Sequence, residues 1–352
     1  MKDNKTTETT KLYKTVYDNM LYRIRNGEFK VGEKIPTTKA LAASYGVSVV
    51  TMEHALKLLK DMNILYSIKK SGTYVNGIRS SCFHKVIAFI LPNSSADSLE
   101  IFDQAEILAL RNNCFLEKMD SKNSLEREKH YVETVLKGGY DGVIIYACDN
   151  KKNLTVFSKL KISGIPTVFL DSKVDYLDAT LVTSDNLKGM RLLMGHLMSC
   201  GHSKIAFSCV RQDAPYTERS RFKGYCRALV EHGVALREEY LYRVKRNQNF
   251  SQWFEAIDDK PTAIVCINDM EAKAAIKSLT SAGYSVPEDV SIVGFDDSRA
   301  NRVLHLTTIR QNFGEIGRLA VEEMQSLWDG GEERTIFSDV SLCIGKTVKT
   351  LI

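Results

Sequence analysis

Apolar residues along this chain keep two different rhythms, and the change falls near residue 80. Leu12, Val16, Met20 and Ile24 recur at helical spacing, with Tyr13, Tyr17 and Leu21 beside them; this predicts an amphipathic first helix. Asn26-Gly27 should end it, since both residues tolerate the left-handed backbone of a C-cap. A turn over 29–33 leads through Ile35-Pro36 to a second predicted helix, Lys39–Tyr45, capped by Thr37 or Thr38 and broken by Gly46. Ser48 is placed to cap a third helix that runs to about Met62 and buries Met52, Ala55, Leu56 and Leu59. Two short alternating segments, Ile64–Ile68 and Thr73–Val75, then flank Lys69-Lys70-Ser71-Gly72, a hairpin with a basic, glycine-containing tip.

Beyond a short polar joint, 77–84, continuous apolar runs alternate with amphipathic stretches. Val86–Leu91, Gly142–Tyr146, Thr167–Leu170, Lys204–Ser208, Ala263–Ile267 and Ser291–Phe295 read as buried strands, and Lys188–Ser199 and Glu271–Ala282 as helices between them. Strands buried on both faces and separated by helices predict an α/β fold with parallel sheets. Several of these strands end in polar clusters: Pro92-Asn93-Ser94-Ser95, Asp149-Asn150, Asp171-Ser172, Asn268-Asp269 and Asp296-Asp297. Ligands of parallel sheets meet the carboxyl ends of strands, so these clusters predict a polar cleft for a neutral, hydroxyl-rich molecule.

The chain has 352 residues, 44% of them hydrophobic and 26% charged, the balance of a globular protein with more than one core. No apolar run approaches the roughly 20 residues of a membrane span, and the polar N-terminus carries no signal-like segment; a cytoplasmic location is expected. The eight cysteines include no C-x-x-C pair, which favours buried thiols over a zinc site or a disulfide framework. Charge is uneven: residues 1–80 hold 14 Lys and Arg against 7 Asp and Glu, a net of +7, and the remainder is at −2. A basic head on a near-neutral body points to a polyanion partner for the head alone. Neither G-x-G-x-x-G nor G-x-x-x-x-G-K-[ST] occurs, and no catalytic or metal-ligand set stands out. The sequence therefore predicts neither enzyme nor cofactor.

Helix, helix, turn, helix and hairpin in about 65 residues form the layout of a winged helix-turn-helix, whose third helix enters the major groove while the hairpin meets the backbone. The segment resembles the head of the GntR family on Ile24, Gly27, Gly32, Ile35-Pro36, Val47-Ser48, Thr51, Ala55-Leu56 and Gly72-Thr73-Tyr74-Val75. The resemblance implies DNA contacts from Thr37, Lys39, Ser48 and Thr51, with Lys69, Lys70 and Gly72 at the wing. Where that family has arginines, this chain has Lys39, Val49 and Glu53. Lysine lacks the bidentate fork, valine offers only a methyl contact, and glutamate only accepts, so the operator should depart from the family's usual one. Capping charge near the positive end of a helix is the alternative account of Glu53.

Residues 85–352 resemble the LacI-type ligand-binding domain, itself similar to periplasmic sugar-binding proteins. The matching pieces are Asp141-Gly142-Val143-Ile144, Gly164-Ile165-Pro166-Thr167-Val168, Ser184-Asp185-Asn186, Gly201-His202, Arg221-Phe222-Lys223-Gly224-Tyr225, Asn268-Asp269, Val286-Pro287 and Gly294-Phe295-Asp296-Asp297. The resemblance implies an N-terminal winged helix-turn-helix over 1–76, a linker over 77–84, and a two-lobed periplasmic-binding-protein-like α/β domain over 85–352. One lobe takes about 85–182 and 311–328, the other about 186–309 and 335–352. Three crossings are expected near 182–186, 309–313 and 328–340. By the same resemblance Arg221 anchors an effector, with Arg219 as its rival, and Asp296 accepts from its hydroxyls. Asn268 or Asp269 borders the cleft, Phe250 stacks on the ligand, and Asn93 and Asp149 come from the first lobe. Helix capping is the alternative for Asp269 and Asp297.

The combination resembles the arabinose repressors. It implies a dimeric regulator, a repressor by that resemblance, that binds double-stranded operator DNA under control of a pentose or deoxyhexose, with a purine as the second choice of effector. A sugar-binding protein without a DNA role is the competing class, and that class requires an export signal.

Overall fold

The computed structural model describes residues 13, 15–17, 19–21, 23–24, 28–61, 64–69, 71–76, 85–149, 151–171, 173–174, 177–208, 214–243, 249–298, 302 and 304–351. The expected helix stop at Asn26-Gly27, the tip residue Lys70, the joint 77–84 and Asn150 lie outside them. The chain forms two compact units and passes from the first to the second between Lys85 and Val86.

In the first unit, helix α1 (Thr38–Tyr45) starts where the Thr37 hydroxyl accepts from the Ala40 N–H at 3.3 Å. It ends at Gly46, whose φ of 63° is left-handed and costs glycine little. Helix α2 (Val49–Asp61) follows after a two-residue turn, with Met52, Ala55, Leu56 and Leu59 on its buried face. Val16, Tyr17, Met20 and Ile24 lie in helical backbone and are buried, as are Leu41, Ile64 and Val75. Strands β1 (Leu65–Ile68) and β2 (Gly72–Val75) pair antiparallel from Leu65↔Val75 to Ile68↔Gly72. Lys34 extends this ribbon by a bridge to Tyr74, which completes the wing.

The second unit holds two lobes. Strands of the first are β3 (Lys85–Leu91), β4 (Cys114–Asp120), β5 (Gly142–Ile145), β6 (Thr167–Leu170), β7 (Thr180–Ser184) and β12 (Thr335–Ser338), in the order β12-β7-β6-β5-β3-β4. The pairs from β12 to β3 are parallel. Helices α3 (Ala96–Arg111), α4 (Leu125–Leu136), α5 (Leu154–Ser163) and α10 (Phe313–Trp328) belong to this lobe. Gly317 lets α10 approach α3 closely, since a Cβ there would lie 2.0 Å from the Ile101 carbonyl oxygen.

The second lobe has the parallel sheet β10-β9-β8, from β8 (Ile205–Phe207), β9 (Ala263–Val265) and β10 (Ser291–Val293). Helices α6 (Asn186–Ser199), α7 (Tyr216–Glu231), α8 (Phe250–Glu255) and α9 (Asp269–Ser281) pack around it. One face is filled by Tyr225, Phe207, Phe295 and Leu193 and the other by Trp253, Phe254, Ile264 and Leu279. Strands β11 (Thr308–Gln311) and β13 (Val340–Cys343) pair antiparallel beside it.

The chain crosses between lobes at Ser184–Asn186, Gln311–Phe313 and Ser338–Val340, and the Asp185 N–H donates to the Ser338 carbonyl at 2.9 Å. Residues 335–338, expected in the second lobe, are instead the edge strand of the first, paired with β7 from Thr335↔Leu181 to Ser338↔Ser184. The third crossing is therefore the short step at Asp339, because the strand beyond the glycine-rich turn at 330–331 returns to the sheet its helix covers.

Candidate ligand and nucleic-acid sites

A cavity of about 230 Å³ opens where the strand ends of the two lobes face each other. Ligand pockets for drug-sized molecules run to roughly 300–1,000 Å³, so this one suits something smaller. The first lobe supplies Asn93, Ser98, Tyr146, Asp171 and Phe313; the second supplies Arg221, Asn268 and Asp296; Gln311 comes from a crossing.

Arg221 is the best-braced of these side chains. It is 5% exposed, its Nε donates to Asn186 Oδ1 at 2.8 Å, and one guanidinium nitrogen donates to the Ile267 carbonyl at 2.8 Å. That nitrogen also lies 3.3 Å from Asp296 Oδ1, and the guanidinium stacks 3.8 Å above the Phe295 ring. A buried planar cation held on its edge and face has one orientation, which is what an anchor needs. Arg219, by contrast, donates locally to the Ala214 carbonyl five residues back, 3.0 Å away.

Asp296 accepts from Gln311 Nε2 at 2.6 Å. Burial pushes its carboxyl up to about 7, although Arg221 pulls the other way. Asp171 accepts from the Thr183 hydroxyl at 2.7 Å and faces the Tyr146 hydroxyl at 3.4 Å. The Tyr146 phenol is held well above its ordinary range, first by burial and then by the carboxylates Asp171 and Asp296. Both aspartates sit on left-handed backbone, with φ of 53° at Asp171 and 124° at Asp296. Strained backbone of this kind concentrates at functional sites. Among the described residues the buried Gln311 Oε1 has no partner, an acceptor turned out of water and unused.

Other expected site residues serve different ends. Asn93 lines the cavity, but its amide is engaged, accepting from the Ser95 N–H at 2.9 Å and donating to Asn123 at 3.0 Å. Asn268 lines it too and caps α9 with its oxygen, 2.8 Å from the Glu271 N–H, which leaves its amide nitrogen outside the cap. Asp269 is a brace rather than a wall. It is 2% exposed and accepts from the Thr308 hydroxyl at 2.6 Å and the Ser298 N–H at 3.0 Å, and burial raises it to about 6. Asp297 pairs with Arg310 at 2.6 Å.

Asp149 is not on the cavity wall. Burial works against its ionised form, but the Lys151 and Lys152 N–H groups more than offset that and lower its pKa overall. Phe250 is also elsewhere, buried edge-on against Tyr242 at 4.8 Å and Trp253 at 5.1 Å. The aromatic residues on the cavity are Tyr146 and Phe313. Asp171 carried a signal in sequence as a strand-end carboxylate; Gln311 and Phe313 carried none beyond lying in a crossing.

In the first unit, the turn into α2 divides its residues between fold and surface. The Ser48 hydroxyl accepts from the Thr51 N–H at 3.1 Å and meets the Thr51 hydroxyl at 2.8 Å. Thr51 is 2% exposed, so it completes the cap and does not face DNA as its motif position implies. Val49, Val50, Glu53, His54, Lys39 and Lys69 are exposed. Val50 and His54, also exposed on α2, were not singled out in the sequence. At the wing, Gly72 has φ 142°, and a Cβ there would lie 2.4 Å from Lys34 Cε. The glycine thus makes room for Lys34, a further lysine to which the sequence reading gave no role.

Two family models match. The gntR family of bacterial regulatory proteins matches residues 12–75, and the periplasmic binding protein-like domain matches residues 194–348. The chain is 29% identical over 342 residues to the arabinose metabolism transcriptional repressor of Geobacillus stearothermophilus, covering 90% of each. It is 26% identical over 333 residues to the HTH-type transcriptional repressor PurR of Mannheimia succiniciproducens, covering 90% of this chain and 99% of that protein. Among solved structures, it resembles the LacI family regulator CCPA of Weissella paramesenteroides with bound sucrose. The TM-score is 0.62 at 20% identity, over 76% of this chain and 100% of the other. Among the described residues no helix is long and apolar enough to cross a membrane. The chain is thus a DNA-binding transcription regulator that joins a gntR-family winged helix-turn-helix to a LacI-like periplasmic-binding-protein domain.

Proposed function

We propose that the cleft binds a pentose or deoxyhexose and that its occupation resets the affinity of the DNA-binding unit for a palindromic operator. The observation that carries this reading is the set of directed polar groups around one small cavity: Arg221, Asp296, Gln311 and Asn268 opposite Tyr146 and Asp171. These groups include donors, acceptors and one buried acceptor with no partner, Gln311 Oε1. A ring of hydroxyls matches such a set, because each hydroxyl both donates and accepts. The lobes are joined by three short crossings, so a ligand touching both favours one lobe angle over another, and that difference in affinity is the source of any switch. The arabinose repressor relative supports a pentose. The protein works in the cytoplasm as a homodimer, since a single head buries little DNA and paired half-sites mirror a twofold axis.

The test is calorimetry of the full chain with L-arabinose, L-fucose, D-ribose and guanine. Operator binding to the DNA upstream of its own gene is measured in parallel at about 100 mM salt, where phosphate contacts persist. A monosaccharide should bind and change operator affinity at least about tenfold, or 1.4 kcal/mol. Binding of guanine alone would replace the sugar with a purine, and sugar binding that leaves operator affinity unmoved would sink the switch.

A further inference from the structure

A second and larger hollow, about 450 Å³, opens on the flank of the body beside the crossing at Ser184–Asn186. It lies within the usual range of small-molecule pockets, and its lining is different in kind from the cleft. Three cations, Lys188 and Arg191 from α6 and Arg227 from α7, share it with two carboxylates, Asp185 and Glu231. Asp185 is committed to the cap of α6, accepting from the Lys188 N–H at 2.9 Å, and Lys188 pairs with Asp339. Among the described residues Arg191 and Arg227 make no hydrogen bond or ion pair, and both are exposed. Ser184, fully buried on the same wall, has a hydroxyl with no partner among the described residues. Phe337, on the edge strand of the first lobe, is left 53% exposed at the rim.

We propose that this hollow is a second ligand site, separate from the cleft, for a small phosphate-bearing metabolite. Two uncommitted guanidinium forks suit phosphate oxygens, which they grip bidentately. The Ser184 hydroxyl supplies the polar contact it does not make within the protein, and the Phe337 ring covers the carbon skeleton of an ester. The position also makes the site regulatory. Asn186 lines this hollow and accepts from Arg221, the anchor of the cleft, at 2.8 Å. A ligand lodged between Phe337 of one lobe and α6 and α7 of the other acts on the same lobe angle as the cleft. The coupling is reciprocal, as equilibrium linkage requires.

The binding claim stands apart from the identity of the cleft ligand, and the experiment keeps the two separate. The full chain is titrated by calorimetry with inorganic phosphate, with ribose 5-phosphate and with ribose. The phosphates should bind at micromolar to millimolar concentration, and the R191Q/R227Q double variant should weaken them at least about tenfold through the loss of charge-assisted bonds. Both arginines are exposed, so this variant keeps its fold. Ser184→Ala breaks no internal hydrogen bond and should weaken them several-fold. Gln311→Ala, which removes a side chain of the cleft and none of this hollow, should leave them unchanged. Tighter binding of ribose 5-phosphate than of phosphate assigns the site to esters, and equal binding assigns it to the free anion. Phosphate binding lost in Gln311→Ala but kept in the double arginine variant would place the ligand in the cleft and overturn the proposal. So would the absence of binding by either phosphate.

Discussion

The DNA-binding unit and the sensing body place their polar groups in opposite physical settings. On the head, Lys39, Glu53 and Lys69 stand in water on short elements whose caps and turns come from neighbours in sequence. In the body, Arg221, Asp296 and Gln311 are largely withdrawn from water, and their hydrogen-bond partners lie 15 to 46 residues away. Exposed charges contribute affinity for a polyanion that salt weakens and that single substitutions trim. Buried charges act as a set, because removing one strands the others in a poorly solvated place. The head should therefore degrade gradually under mutation, and the body abruptly.

The sharpest test of that contrast is Arg221→Ala against Phe250→Ala. Loss of Arg221 leaves the half-buried Asp296 without its cation, at a cost of up to about 3–5 kcal/mol, and effector binding should vanish in calorimetry. Phe250→Ala should cost a comparable 3–5 kcal/mol in thermal unfolding through the cavity it leaves but keep effector affinity near wild type. If Phe250→Ala abolished binding while the fold held, the aromatic contact would be in the wrong place.

A smaller effect tests the electrostatics of the cleft. Asp296 titrates at about 7 in the folded chain, above its ordinary 3.8, because of burial. The folded state thus holds more protons than the unfolded one between those values, and this group's contribution to stability falls as pH rises through that window. A ligand hydroxyl donates to the ionised carboxylate, so effector affinity should climb from pH 6 to 8 by up to about tenfold per unit below the titration point. Asp171, Asp269, Asp297, Tyr146 and Arg221 are the other titratable or charged groups that act on Asp296 or its neighbours. Asp296→Asn should flatten the upper part of the climb. A slope unchanged in that variant would assign the titration to Asp269, which is raised to about 6.

The smallest effect belongs to the head. Ser48→Ala removes the cap of α2 and should lower the head's stability by about 0.5–2 kcal/mol in thermal unfolding. Thr51→Val should act through the same cap and leave base preference unchanged in a selection of operator sequences. A changed preference would mean that Thr51 turns out of the core to reach DNA.

The comparison also explains what could be read in advance. A helix start at Thr37 or Thr38, another at Ser48, the wing hairpin and the strand–helix alternation of the body were all legible, because caps, turns and hydrophobic periods are local rules. Arg221, Asn268 and Asp296 stood out through short phrases tied to a family resemblance, and the structure sets all three around one cavity. The misplacements share a cause. Phe250 and Asp149 were matched by position along the chain, but whether an aromatic ring or a strand-end carboxylate faces a cleft depends on a neighbouring element, here the Tyr242–Trp253 cluster and the Lys151–Lys152 turn.

By itself the sequence determined the kind of protein: two units, a basic head with capped helices and a wing, and a body of parallel strands whose ends are polar. Tertiary structure decided which of those polar ends converge. It returned 335–338 to the first lobe's sheet, folded Lys34 onto the wing, and brought Gln311 against Asp296. Periodicity and capping act over a few residues and leave their mark in order along the chain. Convergence depends on contacts between segments that share nothing in sequence, and only the packed fold supplies those.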